Sequence, residues 1–501
     1  MVSRHLQPDF STFQARAQQG NMVPVWVDLA ADYETPLSAF QRIHDGQYGF
    51  LLESAELTQH SGRYSLLGSA PRTVITARGR QIEILERGEK RSYTTESDPL
   101  TELEKLMAAF KPVLPAPAPV FHGGAVGYLA YDMVRFFEPT LSPPPEDPLG
   151  VPDLVFMIAD SVLIFDHKFR KLSVIANVFL PDHASLKDAY AWAEATILKI
   201  IAKLEAPLQV KALQAFGVSA DGLPELTGNT TQAEYEEMVR KGKEFIAAGD
   251  VFQFVPSQRF ETDYTGTALD LYRALRHVNP SPYMFCLQFP DGFSLVGSSP
   301  EVHVKCLDGR IEIRPIAGTR WRGKTAEEDD ALAADLLADP KERAEHIMLV
   351  DLARNDVGRV AEYASVRVNE LMTIERYSHV MHIVSNVEGR LSSSHTSYDV
   401  MRATFPAGTV SGSPKVRAME IINSLEKHKR CAYSGAVGYF GFDGNLDSCI
   451  ALRTCVLNGG KAYVQAGAGV VADSDPTYEY RETVNKAQGM LRAIQRAKDL
   501  A

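Results

Sequence analysis

The pattern of apolar and polar positions divides the chain unevenly. Up to about residue 205 it reads as strand-rich with one long helix, and beyond about residue 230 strands and helices mix. Turn-forming residues crowd the stretch between, so the pattern predicts an N-terminal segment 1–205, a linker 206–230 and a C-terminal unit 231–501. Two proline-rich breaks, "PAPAP" (115–119) and "SPPPEDP" (142–148), read as surface connections.

In the second part, Thr231 and Glu234 form a capping box for a helix reaching Gly249. The strand "VFQFV" follows, its alternation placing Gln253 on the face of Val251 and Val255. "IEIRPIAGTR" (311–320) is a second strand ending in a small-residue turn, and "CIALRTCVL" (449–457) is apolar on both faces apart from Arg453. "YVQAGAGVVADSDP" (463–476) reads as a strand with close glycines that leads into the last helix.

The stretch "DPKERAEHIMLVDLARND" (339–356) begins as a helix should, with Asp339 as N-cap, Pro340 in the first turn and Glu342 at the capping-glutamate position. Helical spacing then puts Glu345, Leu349 and Leu352 on one stripe with Glu342 beside it. A carboxylate heading an apolar stripe needs a partner, because burying it unpaired costs several kcal/mol or protonates it. A basic side chain, a proton and a metal ion all satisfy that need.

Composition narrows the class. With 45% hydrophobic and 23% charged residues among 501, the chain is globular, and its formal charge of −11 disfavours nucleic acid or an anionic membrane as partner. An anionic substrate would then need local positive charge. The N-terminus lacks the apolar core of a signal peptide and no apolar run reaches the ~20 residues of a membrane span, so the expected location is cytoplasmic. Five cysteines, without a C-x-x-C pair, predict reduced packing residues rather than disulfides or zinc.

The last helix repeats the acidic grammar. Asp475 and Pro476 start it, and Glu479, Glu482 and Lys486 share a face, as an exposed ion-paired surface would or as carboxylates turned inward. Two helices that each carry an E-x-x-E pair suit a hard divalent cation such as Mg2+. Arg453 fits a buried ion pair or a carboxylate ligand, His382 a core position or a catalyst, and Gly467 and Gly469 strand packing or close backbone approach to an anion. Neither "AGAGVV" nor "GTVSGSPK" has the glycine spacing of a nucleotide-binding loop.

Taken together, "LLES" (51–54), "GRYSLLG" (62–68), "RPIAGTR", "AEHIMLVDLARND", "FPAGTVSGSPK", "GAVGYFGFDG", "AGAGVVADSDP" and "ETVNKA" (482–487) are specific. The chain resembles the chorismate-utilising enzymes over nearly its whole length, and among them the anthranilate-forming large subunits. The resemblance implies an α+β fold in which antiparallel sheets pack as a sandwich-like core with helices outside. It implies Mg2+ held by Glu345 and Glu482, Glu342 as the acid that protonates the departing C4 hydroxyl, and His382 for the loss of pyruvate. Chorismate contacts carry over to Gly318, Thr319, Thr409, Tyr433, Arg453, Gly467, Gly469 and Lys486.

Two positions sort reactions within the family. Water-adding members are similar but carry lysine at Gln253, and aminodeoxychorismate-forming members carry lysine at Ala317. Here both positions imply direct attack of ammonia at C2, giving 2-amino-2-deoxyisochorismate and then anthranilate and pyruvate, the first committed step of tryptophan biosynthesis. The alternatives are an aminodeoxyisochorismate synthase that retains pyruvate and another chorismate-utilising enzyme. Since no glutaminase signature is present, a separate glutamine amidotransferase subunit is implied, giving a hetero-oligomer. Glu53, Ser54, Pro282, Tyr283 and Met284 resemble the walls of an inhibitor pocket for L-tryptophan, which implies feedback inhibition.

Overall fold

Two antiparallel sheets, of eleven and twelve strands, form the centre of the molecule. This computed structural model describes residues 6–54, 62–114, 121–208, 226–377 and 380–498. The "PAPAP" tract and most of the expected linker lie outside the described residues, while "SPPPEDP" is a largely exposed connection.

Both sheets are built from both parts of the chain. In the eleven-stranded sheet, Gly49–Glu53 pairs with Tyr283–Gln288, with Glu53 opposite Met284. In the twelve-stranded sheet, Gly124–Leu129 pairs with Ala436–Gly441. One apolar cluster joins residues of both sheets, among them Phe50, Phe285 and Val456 from one and Val126, Val155 and Val437 from the other, so the core lies between them. This is the α+β sandwich that the resemblance implied.

Helices cover the outer faces. Pro36–Ile43, Leu186–Glu205, Ala268–Val278 and Pro476–Lys498 pack their apolar stripes on the eleven-stranded sheet. Pro99–Met107, Pro340–Gly358 and Ser397–Thr404 do the same on the twelve-stranded one, while Lys415–Leu425 buries Ala418, Ile421 and Ile422 against the helix Gln232–Ala247 and Phe254. The caps hold as expected: Asp339 accepts from the Lys341 and Glu342 amides, Thr231 and Glu234 close a capping box, and Asp475 accepts from the Tyr478 amide at 2.8 Å.

Three strands differ from the sequence pattern. "CIALRTCVL" is not one strand: Leu446–Ile450 belongs to the twelve-stranded sheet and Thr454–Asn458 to the eleven-stranded one. Arg453 sits at the crossover with φ of 45°, a left-handed conformation uncommon for a side-chain-bearing residue. Each flank is apolar because it is buried in its own sheet, and alternation cannot register a change of sheet. "IEIRPIAGTR" breaks at Pro315, which has no N–H to donate, into Arg310–Ile313 and Ile316–Trp321, both paired with Val380–Arg390. "VFQFV" contributes only Gln253–Phe254, paired with Gly412–Ser413, yet Gln253 is buried with Val251 and Val255 while Phe252 is exposed.

Candidate active site

The two acidic helix starts face each other. Glu345 feels the charges of Lys486 and Glu482 from the last helix, and Glu479 feels Lys341 from the other. Burial raises the proton affinity of Glu345, of Glu342 and of Glu479; nearby carboxylates push in the same direction, Glu345 on Glu342 and Glu482 on the other two. Glu479 is 6% exposed, and its Oε2 is a buried atom with no hydrogen-bond partner. Lys486 bridges to Glu482 at 2.6 Å and donates to the Gly467 carbonyl at 3.1 Å. Among the described residues no three carboxylate, imidazole or thiol groups form a ready-made metal cage. A crowded, partly unsatisfied set of carboxylates still fits a cation that takes a few protein oxygens and completes its shell with water and substrate.

Gln253 is fixed against this acidic set. It donates to Glu345, its Oε1 is buried without a partner, and a Cβ on Gly469 would lie 2.6 Å from its Nε2. Glycine at 469 is therefore what admits the amide to the cleft. Gly467 plays the same part for Tyr433, whose hydroxyl would be 2.7 Å from a Cβ there.

Glu301 closes another side. It is 6% exposed, and Thr409 donates its hydroxyl to Oε1 at 2.6 Å. Burial pushes its carboxyl up to about 7 against the pull of Thr409, Lys486 and Arg453. Lys486 therefore acts on this carboxyl as well as on the acidic pairs, and Arg453 acts on this carboxyl. Arg453 also contacts Asn279 Oδ1 at 3.4 Å.

His382 is held by its edge. Nδ1 lies 2.8 Å from the Gly318 carbonyl and 3.1 Å from Thr319 Oγ1. Since a carbonyl only accepts, the proton sits on Nδ1 and Nε2 carries the lone pair. Burial lowers the proton affinity of the ring below the ordinary value, which keeps it neutral. Gly318 adopts φ of 67°, and a Cβ there would stand 3.0 Å from Glu342 Oε2, which ties the His382 and Glu342 segments together.

A second cavity, of about 350 Å3, opens between the sheets. Glu53, Ser54, Pro282, Tyr283 and Met284 all line it, with Lys305, Tyr439 and Asp447 opposite. Tyr283 donates to Asp447 at 2.8 Å, and Tyr272 donates to Glu53 at 2.6 Å.

The family described as chorismate binding enzyme matches residues 49–492, a span that contains every residue of both sites. The chain belongs to that family. It is 47% identical over 509 residues to anthranilate synthase component 1 of Synechocystis, covering 98% of this chain and 99% of that relative. It is likewise 47% identical to the component 1 of Aquifex aeolicus, covering 96% of each chain. The crystal structure of anthranilate synthase component I from Streptococcus pneumoniae aligns with a TM-score of 0.74 and 38% identity, over 87% of this chain and 94% of that one. A menaquinone-specific isochorismate synthase from Escherichia coli shares the fold, with a TM-score of 0.70 at 17% identity.

Gly318 and Thr319 meet His382, Gly469 meets Gln253, Gly467 meets Tyr433 and Lys486, and Thr409 meets Glu301, while Arg453 lies at a crossover between the sheets rather than within a strand. Sequence reasoning missed Glu301. Its signal was a lone glutamate at the end of the apolar strand in "FSLVGSSPE", a pattern that also fits an ordinary strand end.

Proposed function

We propose that the chain converts chorismate and ammonia into anthranilate and pyruvate, with Mg2+ bound and with ammonia supplied by a glutaminase partner. The observation that carries this reading is the facing of Glu342 and Glu345 by Glu479 and Glu482 in one cleft with Lys486, Arg453 and a buried Glu301. The names of the similar proteins support the reaction, and their designation as component 1 supports a partner component.

Glu345 and Glu482 would hold the cation, with Glu342 and Glu479 behind them. Mg2+ there supplies positive charge for a substrate carboxylate that the acidic cleft would otherwise repel. Lys486 and Arg453, with backbone at Gly467, Gly469, Gly318 and Thr319, grip the carboxylates, and Tyr433 and Thr409 border the ring.

Ammonia attacks C2, the ring double bonds shift, and the C4 hydroxyl leaves as water. Gln253 cannot serve as a base, which suits a nucleophile that arrives with its own lone pair. Its unpartnered Oε1 suits an ammonia N–H. The resemblance put the acid role on Glu342; the geometry favours Glu301, because its carboxyl remains protonated up to about 7 and Thr409 occupies Oε1, leaving Oε2 to carry the proton. In the second step His382 Nε2 takes the C2 proton, the C3–O bond breaks, the ring becomes aromatic, and the departing enol picks up a proton to give pyruvate.

The cavity at Ser54 and Met284 has an acceptor for an ammonium in Glu53, apolar walls and a basic group in Lys305. We assign it to L-tryptophan as feedback inhibitor. The test incubates the purified chain with chorismate, Mg2+ and ammonium chloride, following anthranilate fluorescence and pyruvate together. Equal amounts of both products, abolished by EDTA, support the reading. Chorismate consumed without pyruvate would move it to the aminodeoxyisochorismate alternative.

A further inference from the structure

Arg430 is the most completely buried cation near the cleft, with 1% of its side chain exposed, and every N–H of its guanidinium is used. Nε donates to Glu426 Oε2 at 2.9 Å and Nη2 to Oε1 at 2.6 Å, the paired fork that arginine alone presents. The remaining three hydrogens go to Val410 O at 2.8 Å, Ser434 Oγ at 3.3 Å and Val255 O at 2.6 Å. Its Cζ lies over the rings of Tyr131 and Tyr433, 4.8 and 5.6 Å from their centroids. Glu426 in turn accepts from the amide and hydroxyl of Ser257.

The acceptors matter for what adjoins them. Val255 lies two residues after Gln253, Val410 follows Thr409, and Ser434 follows Tyr433. None of these three segments is held by a long strand ladder: Gln253 belongs to a two-residue strand, Thr409 to a single tight turn, and Tyr433 lies between Cys431 and Ser434 at φ of 53° and 65°. A local conformation without regular pairing needs an outside anchor to be unique.

We propose that Arg430 is a positioning residue that clamps the Gln253, Thr409 and Tyr433 segments into one register, so that the amide, the partner of Glu301 and the phenol meet the substrate together. Arg430 does not itself face the cleft. Lysine has a point charge and three donors at one atom, so it can balance Glu426 but cannot reach two carbonyls on opposite sides. The inference rests on the proposed reaction for its kinetic arm and on geometry alone for its exchange arm.

The experiment compares wild type with Arg430→Lys, with Glu426→Gln as a milder second variant, and with Val27→Ala, a core variant at the opposite edge of the eleven-stranded sheet chosen as a stability control. Expected for Arg430→Lys is a loss of kcat/KM for chorismate of about 30-fold or more, beyond that of the control after matching for distance below Tm. Amide hydrogen exchange at 253–257 and 408–412 should quicken at least about tenfold, with no change in the control. The alkaline limb of the pH profile should move upward, as it would in Thr409→Val, because a displaced threonine no longer favours the Glu301 anion. Unchanged exchange in those segments, or a kinetic loss no greater than the control's with the limb unmoved, overturns the proposal. An inactive wild type would instead count against the reaction, and the exchange comparison would still decide the clamp.

Discussion

Thr409 donates its hydroxyl to Glu301 Oε1 across 2.6 Å, joining residues 108 positions apart in the chain. The bond leaves one carboxyl oxygen free to carry a proton in a buried site where the acid form persists to about 7. Glu301→Gln keeps the acceptor for Thr409 but removes the proton. We expect kcat to fall by about 10²–10⁴-fold, the usual size of a lost general acid, with stability little changed. The sign of the pH effect follows from the raised value: the active acid form is present below about 7 and is lost as pH rises through it. With rates expressed per free ammonia, kcat/KM should fall on that limb, and the limb should vanish in the variant. A limb that survives Glu301→Gln would remove Glu301 from the acid role.

The proposed role of His382 is in the second step, which releases anthranilate and pyruvate together, so its loss should separate chorismate consumption from both products. Asparagine can still donate to the Gly318 carbonyl but offers no ring nitrogen at the Nε2 position. In His382→Asn, chorismate should disappear with pyruvate lagging behind it, as the aminated intermediate accumulates. The wild-type pyruvate step should weaken only below the ordinary imidazole value, since burial lowers the proton affinity of the ring. If chorismate consumption fell in step with both products, His382 would serve the first step instead.

Gly469→Ala tests a contact rather than a reacting group. The added methyl would lie 2.6 Å from Gln253 Nε2, the end of a side chain that can rotate away at small cost to the fold. We expect activity to drop about tenfold or more while Tm stays within about 1 °C of wild type, the effect of about 1 kcal/mol or less on a chain of this length. A matching collapse of Tm would mean that Gly469 serves backbone packing alone.

How far the sequence carried varies by residue, for physical reasons. Capping at Asp339 and Thr231 was legible because caps are local chemistry. The acidic stripes were legible too, since helical spacing alone puts Glu345 over Leu349. Arg453 was misplaced onto a strand because a crossover between two buried sheets leaves the same apolar flanks as one buried strand. Glu301 stayed silent because what raises its proton affinity is the absence of solvent around it, set by elements distant in sequence. The mixing of both parts of the chain within each sheet was not legible, since no local pattern encodes the pairing of Glu53 with Met284.

The second cavity should be separable from the first. Ser54 lines it but is removed from the acidic cleft, so Ser54→Leu fills space there without touching a proposed catalytic group. The expected outcome is near-normal anthranilate formation with tryptophan inhibition weakened about tenfold or more, read by titrating tryptophan into both proteins. Unaltered inhibition would place the regulatory ligand elsewhere.

The acidic cleft should also cost stability until a cation enters. Glu345 is disfavoured as an anion by burial and by Glu482, so its proton affinity is raised in the folded state. A raised carboxyl contributes stability that is full below the unfolded value of 4.5 and is lost as pH climbs through the folded value. Glu345→Gln removes the charge while keeping the shape. Without metal at neutral pH the variant should therefore melt above wild type, and the gap should close as pH falls toward the ordinary carboxylate range. Adding Mg2+ should reverse the order, because a ligand that binds only the folded state stabilises it the more the tighter it binds, and Glu345 is one of the groups proposed to hold it. Differential scanning fluorimetry with and without EDTA reads both effects without any substrate. If Mg2+ raised the Tm of the glutamine variant as much as that of wild type, the cation would be bound without Glu345, and the electrostatic account of the two facing helices would fall with it.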